Sequence, residues 1–140
     1  MSIEKIALMA SRSESAQSAL QQLSDRYTNT DMDSADAIVA LGGDGFMLET
    51  LHRNMERDLP IYGMNQGTVG FLMNEYSEEG LVQRLEKAEV IKLHPLKMEA
   101  TDIEGRLHNY LAINEVSLLR ETRQAAKIRI IVDGVARLDE

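Results

Sequence analysis

Short apolar runs recur along the first two thirds of the chain. Residues 36–41 are apolar and rich in β-branched side chains, which is typical of a strand buried in a parallel sheet. Residues 3–9 and 60–64 predict two further strands. Between and after them, apolar residues recur at the spacing of an amphipathic helix.

Helices are predicted over residues 11–26, 46–57 and 77–88. Ser11 or Ser13 would cap the first helix, and Ser77 the third, because a serine hydroxyl accepts a hydrogen bond from a free N–H of the first turn. Alternation of strand and helix predicts a mainly parallel sheet in a three-layer α/β arrangement.

The pattern changes near His94. The runs 96–101, 106–119 and 127–132 are strand-like, and no helical periodicity follows them. We therefore divide the chain into an α/β nucleotide-binding domain over 1–94 and an incomplete β domain over 95–140. Asp133-Gly134 is a hairpin-turn signal, but only six residues follow it, which predicts that a returning strand has too little chain to form.

Composition limits the classes of function. The chain has 140 residues, 44% of them hydrophobic, which is enough for a real core. Its net charge of −8 argues against nucleic-acid or membrane-surface binding, since both need a basic face. The absence of cysteine excludes a disulfide framework and fits a reducing, cytoplasmic location, and no stretch is long enough to span a membrane. The three histidines show no metal-ligand spacing, so we predict no metal held by the protein alone.

The segment Gly42-Gly43-Asp44-Gly45 lies where a predicted strand becomes a predicted helix. Glycines there would take positive φ, or let a phosphate approach backbone N–H groups without meeting a Cβ. The unpaired N–H groups that open a helix favour an anion. Asp44 would repel a phosphate unless its charge serves a bound cation or a hydroxyl awaiting deprotonation. The alternative is a tight turn in which Asp44 caps the helix.

Two other segments are candidates for a site. Asn65-Gln66-Gly67-Thr68-Val69-Gly70-Phe71-Leu72 follows the third predicted strand. The alternative to a functional role is that its glycines only shape a loop and that Phe71 only fills the core. Asn114-Glu115 interrupts an apolar run in which unpartnered polar side chains would be costly. In a strand the two would point to opposite faces unless a bulge or strand end re-aims one; the alternative is one exposed face and one local hydrogen bond.

These three segments together resemble the NAD kinase family. The tetrad at 42–45 is also found in diacylglycerol, sphingosine and phosphofructokinase-like kinases. Residues 65–72 are similar to the family's Asn-x-Gly-x-x-Gly-Phe-Leu segment, and Asn114-Glu115 is similar to its Asn-Glu motif, in the same order. Val69 stands where the family often has leucine, and Phe46 where it often has a small hydroxyl residue or asparagine.

The resemblance implies a Rossmann-like amino-terminal domain followed by the beginning of an all-β, sandwich-like domain. It also implies an ATP-dependent NAD kinase, a transferase of NADP biosynthesis that phosphorylates the adenosine-ribose 2′-hydroxyl of NAD. Asp44 would act as general base or orient that hydroxyl, while magnesium or another divalent cation would be bound mainly through ATP. The nucleotide-binding residues implied are Gly42, Gly43, Gly45, Asn65 as a donor, Phe71 as an adenine wall, and Asn114 and Glu115 at ribose hydroxyls.

Family members continue into a larger β domain. We therefore expect this chain to be the amino-terminal portion of a longer enzyme, or to need partner subunits, and its exposed strand edges predict a homo-oligomer, a dimer or tetramer. Two alternatives remain: a dinucleotide-binding fragment without catalysis, and a lipid or sugar kinase that shares only the tetrad.

Overall fold

The computed structural model describes residues 3–68 and 70–139. Four strands form one sheet: β1 (Ile6–Ala10), β2 (Ala37–Leu41), β3 (Ile61–Asn65) and β4 (Asn74–Glu75). Three helices accompany it: α1 (Glu14–Arg26), α2 (Asp44–Arg53) and α3 (Leu81–Lys87), with a 3-10 turn over Met32–Ser34. Two hairpins follow: β5 (Leu96–Thr101) with β6 (Leu107–Ala112), and β7 (Arg129–Val132) with β8 (Val135–Asp139).

The sheet is parallel throughout and has the order β1-β2-β3-β4. All five residues of β2 are buried, which confirms the strand that the apolar run predicted. Val39 pairs with Leu8 on one side and with Tyr62 on the other. Because β2 lies between two neighbours, its carboxyl end opens into the middle of the sheet edge, where α/β proteins bind ligands.

Alternate residues of β2 pack against different helices. Val39 and Leu41 belong to one core cluster with Leu23 of α1 and Leu81 of α3. On the other face, Ala40 packs with Met47 of α2 in a second cluster. Side chains that alternate across a strand therefore bury both faces, and the predicted three-layer α/β arrangement is confirmed.

Residue Tyr27 joins the ends of two helices. Ser13 caps α1, as predicted, by accepting a hydrogen bond from the Ala16 N–H at 3.3 Å. At the other end of α1, the Tyr27 hydroxyl donates to the Glu78 carbonyl at 2.8 Å and accepts from the Leu81 N–H at 3.3 Å. The start of α3 is thus held against the end of α1.

The first helix begins at Glu14 and not at residue 11, and two other helix boundaries differ from the prediction by four residues. The third helix begins at Leu81, because Gly80 adopts a φ of +60° and occupies the cap position; Ser77 as cap is wrong. The second helix runs from Asp44 to Arg53 and ends four residues before the predicted bound. Asn54 ends it, since its buried side-chain amide donates to the Thr50 carbonyl at 2.8 Å and competes with the helical pattern.

The regular structure between residues 96 and 139 consists of two antiparallel hairpins, and no residue there is helical. The prediction for 96–101 is confirmed to the residue, whereas β6 ends at Ala112, seven residues before the predicted end. The expectation that no strand returns after Asp133-Gly134 is wrong. Both turn residues have positive φ, 51° and 77°, and the tight two-residue turn leaves enough chain for β8 to pair with β7. The division of the chain at residue 94 stays a prediction.

The free edge of β1 is covered by the segment that follows α1. The Asn29 side-chain oxygen accepts the Leu8 N–H at 2.9 Å, and the Thr30 N–H donates to the Ile6 carbonyl at 2.9 Å. These bonds satisfy backbone groups that an open edge would present to another chain.

Asp36 fixes the start of β2 against the start of β1. One of its carboxylate oxygens accepts the N–H groups of Glu4 and Lys5 at 2.9 and 2.8 Å. These two bonds lower the pKa of Asp36 below its ordinary value of 3.8. A lowered pKa means that the ionised group stabilises the fold above that value, and that this contribution is lost as the pH falls through the folded-state pKa.

We expect Asp36→Asn to lower the Tm at neutral pH, because the uncharged amide is a weaker acceptor for the same two N–H groups. The difference between variant and wild type should shrink as the pH falls below the ordinary pKa of 3.8 and close below the folded-state pKa, where the carboxyl group is neutral in the folded protein too. Thermal melts across pH measure this. Asp58→Asn is the control, since Asp58 is exposed; a pH-dependent difference in the control that matches the one in Asp36→Asn would contradict the assignment.

Candidate functional site

The Gly42–Gly45 tetrad connects the end of β2 to the start of α2. Gly43 is the N-cap, in an extended conformation with φ −105° and ψ −177°, and Asp44 is the first helical residue. None of the three glycines has positive φ, so the first of the two reasons predicted for them is wrong. The second fits Gly43 and Gly45, where a Cβ would meet nothing within 4 Å and the backbone is open to approach.

Gly42 has a different part in the turn. Its N–H donates to the Met64 carbonyl at 3.0 Å, so this amide is already satisfied and ties the turn to β3. A Cβ on Gly42 would lie 3.0 Å from the Cβ of Phe46, which packs beside it. Phe46 joins the core cluster formed by Ala40, Met47 and Met73. Gly42 therefore makes room for an aromatic ring below the turn.

Asp44 does not cap its own helix. Instead its two carboxylate oxygens accept the backbone N–H groups of two consecutive residues, Phe71 at 3.0 Å and Leu72 at 3.1 Å. These partners lie 27 and 28 residues further along the chain. We call this arrangement the carboxylate clamp: Asp44 with the amides of Phe71 and Leu72. It joins the first candidate segment to the second.

The clamp is possible only because residue 70 is glycine. A Cβ built on Gly70 would lie 2.2 to 2.4 Å from the three carboxylate atoms of Asp44, well inside any real contact. The sequence pattern marked Gly70 as a loop glycine and did not connect it to Asp44. The only signal in the sequence was its place immediately before Phe71, in the segment that is similar to the family's.

Residues 66–72, which we call the 66–72 loop, leave the sheet after β3 and return at β4. Val69 lies outside the described residues. Asn65 shapes the start of the loop: its side-chain nitrogen donates to the Thr68 carbonyl at 2.7 Å, and its oxygen accepts the Gly67 N–H at 3.2 Å. The chain returns beside β3, where the Tyr76 N–H donates to the Asn65 carbonyl at 3.1 Å.

Phe71 is fully exposed, with 103% relative accessibility. The alternative in which it fills the core is therefore wrong. Its backbone is held by Asp44 while its ring faces solvent, which is an unfavourable arrangement for a large apolar side chain unless something else covers it.

Asn114 and Glu115 lie beyond the end of β6 and are exposed. The expected conflict between opposite faces of a strand does not arise, because neither residue is in the strand. In the described part of the chain, no hydrogen bond connects them to the clamp or to the tetrad. The structure therefore unites two of the three predicted segments and leaves the third separate.

At the other end of α2 the helix meets the first hairpin. His52 Nε2 lies 3.3 Å from the Leu111 carbonyl, and an open groove of about 410 Å³ runs between the helix and β6. Arg53 forms an ion pair with Glu49 at 2.6 Å. His108 likewise has a structural partner, Asp102 Oδ2 at 3.1 Å.

A glycine turn at the carboxyl edge of a parallel sheet, followed by a helix N-terminus, defines an α/β domain of the nucleotide-binding class. The family model described as the ATP-NAD kinase N-terminal domain matches residues 3–90. The chain belongs to the NAD kinase family. No helix in residues 3–68 and 70–139 is long and apolar enough to cross a bilayer.

Curated relatives named NAD kinase match nearly all of the chain. The relative from Caulobacter vibrioides is 53% identical over 138 residues, 99% of this chain and 53% of the relative. Those from Hyphomonas neptunium and Rhizobium meliloti are 52% and 54% identical, over 97% and 96% of this chain. The chain spans about half the length of these relatives.

We expect Asn65→Ala to open the start of the 66–72 loop, because both ends of its side-chain amide are bonded to that loop. Hydrogen exchange at the Gly67 amide should become roughly fivefold faster, the factor that corresponds to about 1 kcal/mol for one hydrogen bond. Gln66→Ala is the matched control, since Gln66 is an exposed neighbour. Equal acceleration in both variants would refute the part assigned to Asn65.

Proposed function

We propose that this chain supplies the acceptor-activating part of an ATP-dependent NAD kinase, which transfers the γ-phosphoryl group of ATP to the adenosine-ribose 2′-hydroxyl of NAD. Family membership supports the reaction. The observation that supports the assignment of Asp44 is its carboxylate, held by two amides at the opening of a helix on the carboxyl edge of the sheet.

Asp44 is proposed to orient the hydroxyl or accept its proton. A carboxylate has about four acceptor positions, and the clamp uses one on each oxygen. Each oxygen therefore keeps capacity to accept a hydrogen bond from a sugar hydroxyl. Because the clamp fixes the plane of the carboxylate, the hydroxyl would be met in one orientation, which is the main contribution a protein makes to phosphoryl transfer.

The backbone around Asp44 is proposed to receive phosphate oxygens. Gly43 and Gly45 have no atom within 4 Å of where a Cβ would be, and the first N–H groups of α2 have no partner inside the helix. Gly42 contributes differently from the expectation, through its contact with Phe46 and its bond to the Met64 carbonyl.

Magnesium or another divalent cation fits this site only as an ion carried mainly by ATP. In the described residues no three His, Cys, Asp or Glu side chains are grouped as metal ligands, and Mg²⁺ commonly uses one carboxylate with substrate phosphates and water. When bound, the cation would neutralise charge on the phosphate oxygens.

We propose the remaining nucleotide contacts from the family resemblance and from the exposure of the side chains concerned. Phe71 would form an apolar wall for the adenine ring, and the uncovered ring is available for stacking. Asn65 would donate with the amide hydrogen that Thr68 does not use. Asn114 and Glu115, both exposed, would bind ribose hydroxyls of NAD.

A cytoplasmic homo-oligomer, dimeric or tetrameric, is part of the proposal. Exposed apolar side chains on the two hairpins support association: Leu96, Leu107, Tyr110, Ile131, Val132 and Val135 are each about half exposed or more. A single hairpin is marginally stable in water, so these surfaces need cover.

The alternative is a dinucleotide-binding fragment without catalysis, and the observation that favours it is coverage of about half of each relative. Calorimetric titration with NAD, followed by an NADP-formation assay with ATP and magnesium, separates the two. We expect the full-length gene product to bind NAD and form NADP. If this chain alone binds NAD and forms no product, the fragment interpretation applies to the chain; failure of the full-length product to form NADP contradicts the proposed reaction.

We expect Asp44→Asn in the full-length gene product to lower kcat for NADP formation by roughly 10² to 10⁴, the range for loss of a positioned acid or base. The amide is nearly isosteric, but it cannot accept a proton and presents a donor to one of the two clamp amides. Glu49→Gln is the matched control on the same helix, half exposed and paired with Arg53. Steady-state kinetics measure both, and unchanged turnover in a folded Asp44→Asn protein would sink the assignment.

We expect Phe71→Ala to raise the KM for NAD roughly tenfold with a smaller change in kcat, because stacking of a base on an aromatic ring contributes about 1 to 3 kcal/mol. Ile103→Ala is the control, since Ile103 is equally exposed, at 105%, in the turn between β5 and β6. An unaltered KM for NAD in Phe71→Ala would place the adenine elsewhere.

A further inference from the structure

We infer that Gly70 is a positioning residue of the active site, which acts by letting the Asp44 carboxylate dock on the amides of Phe71 and Leu72. This inference rests on the proposed function for its effect on turnover, but the docking itself is independent of that function.

The geometry at Gly70 is more restrictive than at any neighbouring loop glycine. All three atoms closest to its added Cβ belong to the Asp44 carboxylate, at 2.2, 2.4 and 2.4 Å. At Gly67, in the same loop, the closest atoms are the Asn65 amide oxygen and nitrogen at 3.8 and 3.9 Å, which is ordinary contact. Neither glycine has positive φ, so the difference between them is one of space and not of backbone conformation.

The side chain that must move is that of Asp44, which is the proposed catalytic residue. The three atoms nearest to a methyl group at residue 70 all belong to the free end of the Asp44 side chain. The carboxylate can rotate away at modest cost to the fold, but rotation breaks its bonds to Phe71 and Leu72 and releases it from its plane. Gly70 therefore controls the orientation of the Asp44 carboxylate more than the stability of the fold.

The same clamp also sets the backbone of Phe71, whose ring is fully exposed. The hydrogen bonds of the clamp thus fix both the orientation of the Asp44 carboxylate and the point at which the Phe71 ring leaves the loop. A substitution at Gly70 should disturb both, and turnover should suffer more than affinity, because misplacement of a reacting group by about 1 Å costs on the order of 10²-fold.

The test compares Gly70→Ala with Gly67→Ala in the full-length gene product. We expect Gly70→Ala to lower kcat for NADP formation roughly 10²-fold while the KM for NAD changes by a smaller factor. Gly67→Ala should leave both within about twofold of wild type. A Gly70→Ala protein with normal kcat would overturn the inference, whereas a wild-type protein that forms no NADP would contradict the proposed function instead.

A second measurement tests the clamp without any activity. We expect Gly70→Ala to lower the Tm by a few degrees in the wild-type background, since about 1 kcal/mol shifts the Tm by roughly 2 to 8 °C in domains of this size range. In the Asp44→Ala background the same substitution should have no effect, because the space that the carboxylate filled is empty. Equal effects in the two backgrounds would show that Gly70 does not act through Asp44.

Discussion

The hydrogen bonds from the Phe71 and Leu72 amides to the Asp44 carboxylate are the constraint on which the rest of the site depends. They connect the start of α2 to a loop that leaves the neighbouring strand, in addition to the packing of Met47 and Phe46 of α2 with Leu72 of the loop. Without them, Asp44 would be a carboxylate at a helix N-terminus with no fixed orientation. With them it has a fixed plane and a fixed distance from the loop.

The sheet places both ends of this connection. β2 is buried on both faces, so the tetrad that follows it must emerge at the edge of the sheet. Below the loop, Met73 packs so closely under Gly63 that a Cβ there would lie 2.5 Å from the methionine sulfur, and Asn74 donates to the Gly63 carbonyl at 3.1 Å. Core packing therefore returns the chain beside β3 and brings the two amides to Asp44.

Local pattern was sufficient where a single interaction decides the structure. The buried run of β2 and the turn at Asp133-Gly134 were recognised because apolar periodicity and turn chemistry are local. The end of α2 was missed because Asn54 competes for a backbone carbonyl, and β8 was missed because strand pairing depends on turn geometry and not on the length of the run. The periodicity of apolar residues in the sequence reports neither the side-chain hydrogen bond of Asn54 nor the geometry of the turn before β8.

For the candidate site, too, local features were predictable from the sequence and long-range contacts were not. The tetrad, with its acidic residue at a strand-to-helix junction, singled out Asp44 as a candidate from chemistry alone, and the resemblance added Phe71 as another candidate. The contact between the two spans 27 residues and depends on a missing side chain at Gly70, so no local rule could supply it. A single sequence shows which residues are unusual, whereas their distances from one another are known only from the folded structure.

A carboxylate in the proposed phosphate site poses an electrostatic problem in a chain with a net charge of −8. The structure meets it with backbone dipoles. Asp44 is the first residue of α2, where the helix dipole favours negative charge, and two further N–H groups reach it from the 66–72 loop. These donors are fixed by the fold, and in the proposed function the helix N–H groups that remain unpaired would receive phosphate oxygens. One short turn thus holds an anionic side chain beside the backbone amides that are proposed to receive an anionic ligand.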